Sequence, residues 1–150
     1  LSMVVVDYLG LITPPGWSQK NGRVEATTAI SNGLKQTAKT LKVPFLVLSQ
    51  LNRQVESRPD KHPILSDLRD TGAVEQDADA VIFLYRDWCY HPEIRERDPY
   101  APEPLEATVA KNRHGSTGTC ELAAYLEVSK ILPVSNDPRA AAKKYLEGAG

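Results

Sequence analysis

Four short polar stretches in this chain carry residue types and spacings that suit phosphate chemistry. Each also has a plain structural reading. Asp7 follows the apolar run Met3-Val4-Val5-Val6. A carboxylate leaving a buried strand at its carboxyl end stands where open α/β sheets hold ligands, and it is a natural ligand for Mg²⁺ on a bound nucleotide. The same Asp can simply cap the turn after a strand. Ser49-Gln50-Leu51-Asn52-Arg53 ends a second apolar run, Phe45-Leu46-Val47-Leu48. A glutamine amide both donates and accepts, so Gln50 can bond a terminal phosphate and an adjacent loop together. That arrangement would let nucleotide state move the loop; the alternative is a polar turn.

The third stretch is Ser66-Asp67-Leu68-Arg69-Asp70-Thr71-Gly72. Arg69 beside a flexible Gly72 suits a phosphodiester, gripped by charge and by backbone N–H groups. A solvated helix start with Ser66 as N-cap fits the composition as well. The fourth is Lys111-Asn112-Arg113-His114-Gly115. Alternation along a strand puts Lys111 and Arg113 on one face. Paired cations there suit a phosphate, and an exposed Arg suits insertion into a neighbour's site. An ordinary basic hairpin turn reads the same. Cys89-Tyr90-His91 has no second pair at zinc spacing, so a metal centre is not expected there.

These residues need elements to hold them. Met3–Val6 and Phe45–Leu48 read as strands covered on both faces. Between them, Ile30, Leu34, Ala38 and Leu41 recur on one face of a helix over roughly 24–42. Gly33 weakens that helix by about 1 kcal/mol relative to Ala. Strand, helix and strand at this spacing form a parallel βαβ unit. The polar stretch from Asn52 to Pro63 reads as a mobile functional loop. A helical piece around 66–77 leads to a third buried strand, Ala80–Tyr85, and residues 86–104 read as a charged, Pro-rich surface excursion. A hairpin follows, from Glu106–Ala110 into a return strand over Thr117–Leu126, with a short helix expected at 137–147. The fold class is α/β, with a mostly parallel sheet and an antiparallel hairpin near the C-terminus.

The motifs VVVDYLGLI (4–12), VPFLVLSQLNR (43–53), DKHPILSDLRDTGAVEQDADAVIFLYRD (60–87) and AKNRHGSTGT (110–119) occur in an order and spacing that is recognisable. The chain resembles the C-terminal motor domain of the bacterial replicative DNA helicases of the DnaB type, over most of residues 1–125. The resemblance implies part of a RecA-like P-loop ATPase core, from the Walker B strand onward. It implies a homo-hexameric ring around single-stranded DNA, with ATP and Mg²⁺ as cofactors, 5′–3′ movement, and primase and a helicase loader as further partners. Asp7 matches the Walker B aspartate that holds Mg²⁺. Gln50 matches the glutamine that senses the γ-phosphate. Arg69, Asp70 and Gly72 match the loop on the DNA backbone. Lys111 and Arg113 match the basic pair that reaches a neighbour's ATP. Departures are mild: Gly10 for a usual Gln, Asp70 for a Glu, and Asn112 and His114 for a Gln and an Asn.

One difference is larger. No G-x-x-x-x-G-K-[ST] occurs in these 150 residues. In the family that phosphate loop lies upstream of Walker B, as does the catalytic glutamate, and its strand sits centrally in the sheet. About half of an ATP site and an interrupted sheet are therefore expected, with the isolated chain inactive. The opening Leu1-Ser2-Met3-Val4-Val5-Val6 is already strand-like, which predicts a piece of a longer polypeptide. The alternative is a non-catalytic module that binds DNA or docks on helicase subunits.

Composition bounds these readings. The chain has 18 Lys+Arg against 19 Asp+Glu, a net charge of −1, which excludes a coat held on DNA by global basic charge. Hydrophobic residues at 41% and charged residues at 25% exclude disorder and coiled coil. No apolar run approaches the ~20 residues of a membrane span. Two cysteines make no disulfide scaffold, and a cytoplasmic setting is expected.

Overall fold

A computed structural model of the chain describes residues 1–14, 16, 22–94 and 101–134, with the backbone alone at 69–71 and 94. The helix expected at 137–147 lies outside the described residues. The chain divides into two compact units, Leu1–Val81 and Ile82–Gly150.

In the first unit, β-branched Val4–Val6 form strand β1 and Phe45–Val47 form β2. They pair in parallel, Val4 opposite Phe45 and Val6 opposite Val47, with helix α1 (Arg23–Leu41) as the crossover. The helix buries Ile30 and Ser31. It stops at Lys42, whose φ of 52° is left-handed, just before Val43-Pro44. Two 3₁₀ turns, Arg53–Ser57 and Leu65–Thr71, precede a short helix α2 (Gly72–Asp77). The core of this unit includes Leu9, Ile30, Val55 and Leu68.

Strand β3 (Ala80–Tyr85) crosses the boundary between units and heads a four-stranded sheet. Its order is β3, β4 (Glu103–Asn112), β5 (Gly118–Tyr125) and β6 (Lys130–Pro133). β4 and β5 pair antiparallel, Leu105 opposite Leu122 and Thr108 opposite Thr119, as do β5 and β6. The hairpin is as expected, but antiparallel pairing extends one strand further. β6 is short, ends in Pro133, and follows a tight turn in which Ser129 takes φ 51°, so it carries little pattern.

Burial on both faces of the apolar runs is corrected. β3 buries Val81 and Phe83 on one face, while Ile82 and Leu84 on the other are about 60% exposed (58% and 60%). Val5 of β1 and Leu46 of β2 are also exposed. A strand is covered twice only where a layer packs on each face of its sheet, and among the described residues the faces carrying Val5, Leu46, Ile82 and Leu84 lack one.

Candidate functional site

Beyond the paired residues of β1 and β2 the ladder continues. Leu48 N–H donates to Val6 O (2.9 Å), and Leu9 N–H donates to Leu48 O (2.9 Å). These two bonds hold the chain leaving β1 against the chain leaving β2. Asp7 is thus fixed beside Leu48, with Gln50 two residues on, at one carboxyl-end edge. Both side chains are exposed. A cleft of about 410 Å³ opens at this edge, lined by Tyr8, Arg23, Ser49, Gln50, Arg53 and Asp67, among others. The Tyr8 ring lies so close to Gly10 that a Cβ there would stand 2.7 Å from Tyr8 Cε2.

The segment after Gln50 is tied down rather than open. Asn52 Oδ1 accepts from Gln54 N–H (3.0 Å) and starts the 3₁₀ turn Arg53–Ser57. Arg58 donates from Nη1 and Nη2 to the two carboxylate oxygens of Asp67, each at 2.9 Å. It also donates to His62 O (2.7 Å) and, through Nε, to Asp60 O (3.3 Å). Lys61 donates to the Glu56 and Arg58 carbonyls. Asp60 accepts from His62 N–H at 2.9 Å and pairs with His62 Nδ1 at 2.6 Å. The backbone bond from His62 foremost, then its side chain, holds the Asp60 carboxyl below the usual carboxylate range.

Asp67 is buried and also accepts from Ile64 N–H (2.9 Å), so a carboxylate three residues into the turn caps its start. The cap residue is Ile64, not Ser66. Arg69 and Asp70 lie in the same turn, Leu65–Thr71, but their side chains are outside the described residues. Gly72 has φ −50° and ψ −28°, an ordinary right-handed helical conformation. Its backbone needs no glycine, but no atom lies within 4 Å of where a Cβ would stand, which leaves room for close approach. Past α2, Ser31 Oγ donates to Asp77 (2.6 Å) and Lys35 bonds both oxygens of Asp79. These bonds fasten the end of this segment to α1.

In the second unit, Arg86 pairs with the buried Glu103 at the start of β4. β4 then runs ten residues to Asn112. Lys111 is half-buried on the strand, whereas Arg113 is exposed in the turn that follows. The alternation behind the one-face reading of these two cations runs only to Asn112, the last residue of β4. Asn112 Oδ1 accepts from His114 N–H (3.2 Å), and its Nδ2 donates to Ser116 O (3.4 Å). That amide fills the space beside Gly115, where a Cβ would meet Asn112 Nδ2 at 2.7 Å. His91 Nδ1 contacts Glu93 at 3.0 Å. Among the described residues no cluster of three His, Cys, Asp or Glu could hold a metal by itself.

The family model "DnaB-like helicase C terminal domain" matches residues 1–132. The chain belongs to this DnaB-like family. It is 44% identical over 132 residues to the replicative DNA helicase DnaB of Geobacillus stearothermophilus and, at the same identity, to the replicative DNA helicase DnaC of Bacillus subtilis. Those alignments cover 88% of this chain and 28% of each relative, so the chain spans little more than a quarter of their length. Among solved structures, a DnaB-like replicative helicase, described with its interactions with primase, superposes with a TM-score of 0.78 at 41% identity, covering 89% of this chain and 30% of that one. A second solved chain, described as an ATPase domain, superposes at 0.77 and 41% identity, covering 89% and 44%. The fold is that of a DnaB-like ATPase domain in part.

The first unit thus brings Asp7 and Gln50 together, and the backbone carrying Arg69, Asp70 and Gly72 joins the same segment. Lys111 and Arg113 belong to the second unit. Arg58 and Asp67 organise the site segment although sequence reasoning gave neither a role. No sequence signal marked this pair: Ile64 cannot cap by its own side chain, so Ile64-x-x-Asp67 lacks the Ser, Thr, Asp or Asn that marks a capped turn.

Proposed function

We propose that this chain is the C-terminal part of a RecA-like helicase ATPase domain, from the Walker B strand onward, and that it works in an ATP-driven replicative helicase. The observation that carries the proposal is one carboxyl-end edge, where Asp7 leaves β1 beside Leu48 and Gln50, two residues further on, lines the cleft. Asp7 suits Mg²⁺ held jointly with a nucleotide: it is one exposed carboxylate, and a hydrated Mg²⁺ needs only one or two from the protein. When bound, Mg²⁺ would neutralise charge between the β- and γ-phosphates. Gln50 would donate its amide N–H to a γ-phosphate oxygen, and its movement would pull on the backbone of 51–53. Arg69, with the backbone around Asp70 and Gly72, would hold the phosphodiester chain of single-stranded DNA. Lys111 and Arg113, at the end of the β4–β5 hairpin, would stabilise charge on the nucleotide of the next subunit in a hexameric ring. Movement 5′–3′ and docking of primase and a loader complete the proposal.

The test uses the complete polypeptide that carries this sequence. Arg113→Ala should lower DNA-stimulated ATP turnover by roughly 10³–10⁵-fold, as loss of such arginines does in other phosphoryl-transfer sites, with nucleotide affinity retained. Mixing Arg113→Ala with Asp7→Ala subunits should restore some activity, because some interfaces then combine intact halves. Near-normal turnover of Arg113→Ala alone would overturn the trans role.

A further inference from the structure

Between the cleft and the turn that carries Arg69 lies one ion pair with more bonds than a surface contact requires. Asp67 is 5% exposed and uses both carboxylate oxygens on Arg58, with one of them also taking Ile64 N–H. Its backbone carbonyl accepts from Asn52 N–H (3.0 Å), two residues beyond Gln50. Two residues the other way, in the same 3₁₀ turn, is Arg69. Asp67 therefore touches the cleft as a lining residue, the chain leaving Gln50 through its carbonyl, and the turn that carries Arg69 through its backbone. Arg58 closes the unit from outside. Its guanidinium spends Nη1, Nη2 and Nε on Asp67, His62 O and Asp60 O.

We infer that Arg58, acting through Asp67, is a positioning residue that makes residues 52–67 move as one body and so transmits a shift at Gln50 to Arg69. This rests on the function proposed above. A buried carboxylate held by a two-toothed guanidinium is costly to part, so the segment resists bending between its ends. Displacement of Asn52 is then passed to the Arg69 turn instead of being absorbed in between. Such coupling needs a packed element that moves as a unit, and the network around Arg58 supplies one. A lysine at 58 keeps the charge beside Asp67 but cannot reproduce the fork or the bonds to the two carbonyls.

The experiment takes the complete polypeptide with Arg58→Lys. It measures basal ATPase, the factor by which single-stranded DNA stimulates it, and DNA affinity with and without a non-hydrolysable ATP analogue. Basal turnover should stay at the wild-type value. The stimulation factor and the nucleotide dependence of DNA affinity should each fall roughly tenfold, within the usual range of couplings between sites. Full stimulation, or basal turnover falling in parallel with it, would overturn the inference; the second result marks Arg58 as a support of the fold only. Gln50→Ala and Arg69→Ala run alongside. If both abolish stimulation while Arg58→Lys keeps it, the coupling role alone is wrong. If neither matters, the underlying functional reading is wrong and the coupling falls with it. Should Arg58→Lys not be recovered folded, hydrogen exchange on the wild type decides. The amides of Asn52 and Ile64, both bonded to Asp67, should change protection together when the analogue binds; independent changes refute the single-body claim.

Discussion

The anchor of the β4–β5 hairpin offers a sharp energetic test. Glu103 opens β4 and its side chain is 8% exposed, whereas its partner Arg86 is 35% exposed. The two members should therefore respond unequally. Arg86→Ala strips a buried carboxylate of its guanidinium. Breaking one side of a fully buried pair costs about 3–5 kcal/mol, and the partial exposure of Arg86 lowers the expectation to about 2–3. Glu103→Gln removes the charge from the buried side and leaves a guanidinium that already reaches water, so it should cost only about 1 kcal/mol. Urea unfolding, followed by circular dichroism, separates these. At any one slope within about 1–3 kcal/mol per M, Arg86→Ala lowers the midpoint by roughly two to three times as much as Glu103→Gln, about 0.7–3 M against about 0.3–1 M. If Glu103→Gln proves as damaging as Arg86→Ala, the argument from unequal burial fails.

Three further outcomes are expected. Arg69→Ala in the complete polypeptide should weaken single-stranded DNA binding similarly for all sequences and flatten its salt slope by about one; an unchanged slope would argue against a phosphate contact. The isolated 150-residue chain, which contains no G-x-x-x-x-G-K-[ST], should show no ATP turnover, and activity in highly purified protein that vanishes with Asp7→Ala would contradict this. Gly33→Ala, at an exposed mid-helix position with nothing within 4 Å of the new Cβ, should stabilise the fold by up to about 1 kcal/mol, read as a higher melting temperature; a lower one would mean that α1 packs against something at that position.

Much of the site edge was legible because it depends on local pattern. Apolar β-branched runs mark β1, β2 and β3, and helical periodicity marks α1 to within a residue or two. Parallel pairing of β1 with β2 then forces Asp7 and Gln50 to one end without any tertiary information. The remainder depends on contacts with no period. Arg58 and Asp67 are nine residues apart in a stretch of Pro, Asp, Lys and His, so composition suggests a loose loop where side-chain to backbone bonds make a fixed one. Where β4 stops, one residue before Arg113, has no period either: the Asn112 side chain bonds back into the turn there. Coverage of β3 was overestimated because an apolar run reports that a strand can be buried twice, not that a second layer exists.

The Asn112–Gly115 contact has a consequence for how this hairpin can change over generations. A side chain at position 115 must displace the Asn112 amide, which then gives up its bond to Ser116 O and its grip on the His114 N–H. A shorter residue at 112 would make that room in advance. The order of substitution therefore matters: 112 first and 115 second keeps both steps free of a clash, while the reverse order first swings the Asn112 amide away and loses its two bonds one residue from Arg113. Variation at the two positions should be correlated, and a lineage that keeps Asn112 should keep Gly115 with it.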